Sequence, residues 1–137
     1  MNPRLLHRSR PRTACDLRVL LVEDDESLRE ALVAALDGAG IGCHACASAE
    51  DALEVWRERS FEVVVTDLRL PQLDGVSFLE ELRRSEVVPA IVLTGFRADY
   101  ESRMAELDGL KVLEKPIEAA AFLCVVSRLL VGEAPKP

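Results

Sequence analysis

Five polar residues stand at the ends of apolar runs in this chain, and their types are those that phosphate chemistry uses. Glu23 and Asp24 follow LRVLLV, Asp67 closes FEVVVTD, Thr94 closes AIVLT, and Lys115 follows LKVLE. Three carboxylates brought together repel one another, at a cost of several kcal/mol when partly desolvated, unless a cation joins them. They offer only oxygen donors, and water can complete the shell, so the cation they select is Mg²⁺, with Mn²⁺ as the alternative. Magnesium held by few protein groups usually acts on phosphate. A lysine then supplies a compact charge for one phosphoryl oxygen, and a threonine hydroxyl donates a hydrogen bond to another. A carboxylate beside them can be the nucleophile, giving an aspartyl phosphate. Each residue also has a plainer reading. Asp24 and Asp25 could be helix N-terminal acids, Asp67 a turn residue, Thr94 a strand end and Lys115 a solvated charge. Their occurrence together, each at the end of a different run, favours the chemical reading.

Such residues meet only if the elements between them bring those ends together. LRVLLV (residues 17–22) reads as a buried strand from its unbroken apolar character. ESLREALVAALDGAG sets Leu28, Ala31, Leu32, Ala35 and Leu36 on one helical stripe and ends in glycines. A short strand over residues 41–46 follows. Ser48 then caps a helix, with Asp51 three residues on, that turns Ala52, Leu53 and Trp56 inward. FEVVVT is the third strand and GVSFLEELRRS the third helix; AIVLT, introduced by Pro89, is the fourth strand. A polar helix is expected from about Asp99 to Leu107, then the strand LKVLE and a closing helix in IEAAAFLCVVSRLLV. This alternation predicts an α/β fold, a parallel sheet with helices on both faces, because right-handed crossovers put them there. Ligand sites in such sheets lie beyond the carboxyl ends of the strands, where the winding reverses.

Composition agrees with one globular domain: 137 residues, 49% hydrophobic and 30% charged. No apolar run approaches the roughly 18 residues of a membrane span, and the N-terminus lacks the apolar core of a signal peptide. A cytoplasmic location, with no membrane contact, is the expectation. Residues 1–16 carry Arg4, Arg8, Arg10 and Arg12 against Asp16, and read as a basic, solvated extension. The remainder is therefore more acidic than the overall charge of −7, which disfavours direct nucleic-acid binding. Of the four cysteines, Cys43 and Cys46 in CHAC lack a second ligand pair at zinc spacing. Their three-residue offset on a strand sends them to opposite faces, so core packing is the better account.

The stretches VLLVEDDE, VVVTDLRLPQLDG, AIVLTG and LEKP, in that order, resemble the receiver domains of two-component response regulators. The resemblance covers residues 17–131, with 1–16 as an extension and 132–137 as a tail. It implies a flavodoxin-like, five-stranded sheet of order 2-1-3-4-5. It also implies a phosphorelay role, in which Asp67 takes a phosphoryl group from a sensor histidine kinase or a histidine phosphotransfer protein and thereby changes affinity for a downstream protein. Glu23, Asp24, Asp67 and the backbone carbonyl of Arg69 would hold Mg²⁺, with Asp25 just outside the pair. Thr94 and Lys115 would bind the phosphoryl group. Pro71, Asp74 and Gly75 would shape the loop after Asp67, and Pro116 would follow a cis bond. Arg69 and Phe96 would tune the phosphoryl lifetime. Val112 stands where the family usually carries an aromatic switch residue, so an altered switch is expected. The protein would be no enzyme beyond its own phosphorylation and dephosphorylation, and a monomer or a phosphorylation-dependent homodimer. Two alternatives stay open: a degenerate receiver that docks without phosphorylation, and the receiver part of a longer transcriptional regulator. An aspartate-nucleophile phosphatase would want a second acid two residues after Asp67, where Arg69 stands.

Overall fold

Three apolar runs form the middle of the sheet: β1 (Leu17–Val22), β3 (Val63–Asp67) and β4 (Ala90–Thr94). The computed structural model describes residues 17–95 and 110–132. β2 (Gly42–Cys46) and β5 (Leu110–Glu114) take the two edges, giving the order β2-β1-β3-β4-β5 with every pairing parallel. Burial on both faces is what a near-continuous Val, Ile and Leu run demands, and β3 and β4 are buried at every position. The register sets Val22 against Thr66, Asp67 against Leu93 and Thr94 against Glu114. Four strands therefore finish nearly level, and the residues that end or follow them share one edge of the sheet.

Alternate strand residues feed two cores. Leu20, Val22, Val64, Ala90 and Val92 pack against α2 (Ala49–Glu58) and α3 (Gly75–Arg83), through Trp56, Phe78, Leu79 and Leu82. Val19, Leu21, Val63, Val65, Ile91 and Leu93 face α1 (Glu26–Gly38) and α4 (Ala119–Leu130), through Leu32, Leu36, Phe122 and Val126. Trp56 stacks on Phe61 with ring centroids 6.3 Å apart, and its indole N–H donates to Ser85 Oγ at 3.3 Å. Among the described residues no helix is long and apolar enough to cross a membrane.

The sequence stripes need small corrections. In α1, Leu32 and Leu36 are buried, but Ala31 is exposed and Val33 is half-buried instead. A methyl group adds little to a helix face, so the larger side chains decide its rotation. In α2, Ala49 joins Ala52 and Trp56 in the core, while Leu53 is only half-buried. β2 starts at Gly42, one residue later than expected. Cys43 and Cys46 do lie in different cores. Burial pushes their thiols up to about 12 and about 11 respectively, so both stay neutral and unreactive at physiological pH. The helix expected over 99–107, Phe96, the basic extension and most of the C-terminal tail lie outside the described residues.

Candidate functional site

Glu23 extends the β1–β2 ladder one step past β1: its N–H donates to the carbonyl of Cys46 at 3.1 Å. It is completely buried. Two residues on, the chain turns into α1. Asp25 is the N-cap, its Oδ1 accepting from the N–H groups of Ser27 (3.0 Å) and Leu28 (3.3 Å). The plainer reading thus holds for Asp25, whose own N–H donates to Glu23 Oε2 at 3.0 Å. Asp24, between them, is exposed.

At the end of β3, Leu68 N–H still pairs with the carbonyl of Leu93 at 2.8 Å, which keeps Asp67 on a rigid strand. The Asp67 carbonyl is enclosed. Thr66 Oγ1 donates to it at 3.0 Å, and Gly75 packs so close that a Cβ there would lie 2.2 Å from it. The loop between them turns at Pro71–Gln72, with Gln72 in the left-handed region at φ 65. Asp74 then caps α3, its Oδ1 accepting from Ser77 N–H at 2.9 Å. The Asp67 carboxylate accepts from Arg69 N–H at 3.2 Å on Oδ1 and from Lys115 Nζ at 2.8 Å on Oδ2.

Lys115 reaches the site because β4 and β5 are joined where they end: its N–H donates to the carbonyl of Thr94 at 2.7 Å. The Lys115–Pro116 bond is cis. Lys115 Nζ also lies 3.3 Å from Glu23 Oε1, so one ammonium serves two carboxylates. Thr94 is buried at the end of β4. Val112 lies half-buried opposite Val92, against the core formed with α2 and α3.

The charges of this cluster do not balance. Among the described residues, Glu23, Asp24 and Asp67 each bring one carboxylate oxygen to within 4.8 Å of the others. Burial raises the Glu23 carboxyl most; the Asp25 N–H lowers it, Asp67 raises it and Lys115 lowers it, and it settles at about 7. Lys115 is pulled down by burial, but its bond to Asp67 and the two nearby carboxylates outweigh that and leave it raised. A carboxyl that burial and a neighbouring carboxylate keep protonated near neutrality, among donors that are all hard oxygens, fits a small divalent cation. Asp24 leaves the cluster open on its exposed side.

The structure therefore brings Glu23, Asp24, Asp67, Thr94 and Lys115 to one edge of the sheet. Two neighbours were not anticipated from sequence. Thr66 supports the Asp67 carbonyl, and Arg29, in α1, donates from Nη1 to the Glu23 carbonyl at 2.9 Å. Side chains lean toward a helix N-terminus, so an arginine six residues after Glu23 was the available signal.

Comparison with known proteins gives a consistent result. A family model described as "Response regulator receiver domain" matches residues 19–127. The response regulator protein FleR of Pseudomonas aeruginosa is 38% identical over 120 residues, which cover 86% of this chain and 25% of FleR. The sensory/regulatory protein RpfC of Xanthomonas campestris is 31% identical over 137 residues, covering 96% of this chain and 18% of RpfC. The chain thus spans a quarter or less of the length of these two curated relatives. Among solved structures, the non-phosphorylated HemR receiver domain from Leptospira biflexa matches with TM-score 0.78 and 31% identity, covering 89% of this chain and 100% of that one. A response regulator receiver protein from Sinorhizobium medicae matches with TM-score 0.78 and 26% identity, covering 88% and 99% respectively.

Proposed function

The chain belongs to the response regulator receiver domain family, and from that premise we propose that it carries a signal by accepting a phosphoryl group on Asp67. The observation that supports this most is the placement of Lys115, whose ammonium lies 2.8 Å from Asp67 Oδ2 and 3.3 Å from Glu23 Oε1. A lysine tied to a strand-end aspartate inside an acidic cluster is what a site needs to receive phosphate without repelling it.

In this reading the donor is a phosphohistidine on a sensor histidine kinase or a histidine phosphotransfer protein. A carboxylate oxygen of Asp67 attacks phosphorus, an O–P bond forms as the donor's N–P bond breaks, and the imidazole leaves with the electron pair and takes up a proton. β3 holds the nucleophile still, so little motion is spent on alignment. Lys115 offsets the phosphoryl charge and Thr94 donates its hydroxyl to a phosphoryl oxygen. Glu23, Asp24, Asp67 and the Arg69 carbonyl would hold Mg²⁺, which when bound supplies charge stabilisation for the transferring group. Arg69, two residues after the acceptor, and Phe96, two residues after Thr94, would set how long the acyl phosphate survives water. The downstream effect is a change of affinity for a protein partner, or for the rest of a longer regulator of the kind its relatives are.

Beryllofluoride, a stable phosphoryl mimic, tests the site without a kinase. Added with Mg²⁺, it should shift the amide resonances of residues 23–25, 67–69, 94 and 115, and EDTA should reverse the shifts. Amides that stay unmoved would count against the reading.

A further inference from the structure

We propose that Arg29 is a positioning residue for the acidic site: by holding the main-chain carbonyl of Glu23, its guanidinium fixes the turn that presents Glu23 and Asp24 to Asp67. The inference rests on the reading of that cluster as a Mg²⁺ site.

Glu23 is a buried residue pinned by contacts of different origin. Its N–H is on the Cys46 carbonyl (3.1 Å), its Oε2 accepts from Asp25 N–H (3.0 Å), and its Oε1 faces Lys115 (3.3 Å). Its carbonyl accepts from Arg29 Nη1 at 2.9 Å. The first contact belongs to the sheet, and the next two belong to the turn and the site. The last ties the turn to the body of α1, because Arg29 N–H bonds the carbonyl of Asp25 at 2.9 Å, closing the first full turn of that helix. One residue of α1 thus grips the chain on both sides of Asp24. Asp24, exposed and next to the cap, lies between the two residues that this grip holds.

Arg29 is a cation beside a cation site, and that makes the sign of its effect decisive. If it acted through charge alone, removing it would strengthen Mg²⁺ binding by relieving repulsion. If it positions the ligands, removing it weakens binding, as losing the partners that orient metal ligands typically does, by about 10–100-fold.

The experiment is a Mg²⁺ titration of the parent protein, Arg29→Met and Arg29→Lys, by calorimetry or by the amide shifts of residues 23–25, with urea unfolding alongside. The expected result is a dissociation constant raised about tenfold or more in Arg29→Met and largely restored in Arg29→Lys. Equal or tighter binding by Arg29→Met overturns the proposal, whatever its urea midpoint. Should Arg29→Met not fold, Arg29→Ala, which also removes both the charge and the donor, decides by the same sign. A parent protein that binds no Mg²⁺ sinks the metal reading of the site and this inference with it. A parent that binds Mg²⁺ beside an Arg29→Met that binds it equally well sinks this inference alone.

Discussion

Glu23 shows what the fold does to a single residue. Burial, partly offset by the Asp25 N–H and then reinforced by Asp67, raises its carboxyl from 4.5 to about 7 in the metal-free protein. The folded chain then keeps a proton that the unfolded chain releases above 4.5. Its stabilising contribution is fully present below that value and is lost as pH rises through about 7. In EDTA, the urea midpoint of the parent should therefore fall relative to Glu23→Gln between about pH 5 and about pH 8, and Mg²⁺ should offset the fall. A difference independent of pH would contradict this account. The neighbouring acids divide their duties. Asp25→Ala should cost about 1 kcal/mol as a lost cap and still permit phosphoryl uptake, whereas Asp24→Asn should leave the urea midpoint nearly unchanged and weaken Mg²⁺ binding. The sequence shows three acids in a row at 23–25 but not which one caps. That depends on where the chain turns, and Asp25 takes the cap because its backbone is still extended, at φ −75 and ψ 111, just before α1. Arg29 was missed for a related reason: its spacing from Glu23 was visible, but its reach back exists only once the first turn of α1 is in place.

At the level of elements, the junction of β3 and α3 carries the most consequence for function. Gly75 begins α3 against the carbonyl of Asp67, 2.2 Å from where a Cβ would stand. Gly75→Ala must push either the helix or the strand end away. It should destabilise the protein by about 1–3 kcal/mol and slow phosphorylation through a displaced acceptor. Gly38→Ala, at the last position of α1 with nothing within 4 Å of a new Cβ, should instead be neutral or stabilising by about 0.5–1 kcal/mol. Urea unfolding of the two variants separates close packing from glycine's general cost. β5 carries a second consequence. Val112 offers no ring to turn inward, so a muted rearrangement between free and phosphorylated forms is expected from relaxation dispersion. A full-amplitude rearrangement between β4 and β5 would refute it. The strands were legible because a continuous apolar run bounded by turn residues has few other fates. The helix faces were less so, since Ala31 and Leu53 lie near the edge of their stripes, where a small rotation decides burial.

At the scale of the molecule, the parallel sheet explains why five residues scattered over nearly a hundred positions could be read as one site. Parallel strands of matched register end together, so the ends of apolar runs are neighbours in space whatever their separation in sequence. What could not be read was the charge balance inside that site, which depends on burial and on distances of a few ångström. The acidity of residues 17–137 predicts that the folded part is a poor ligand for nucleic acid. It should not retard duplex DNA even at low salt, and a gel shift would reveal an error there. Phosphoryl uptake is also read on the whole molecule, as its mass. The parent protein and Asp67→Asn should be incubated with phosphoramidate and Mg²⁺ and weighed intact. One added phosphoryl group on the parent and none on Asp67→Asn is the predicted result; equal uptake by both, or none by a folded parent that binds Mg²⁺, would contradict the assignment of Asp67 as the acceptor.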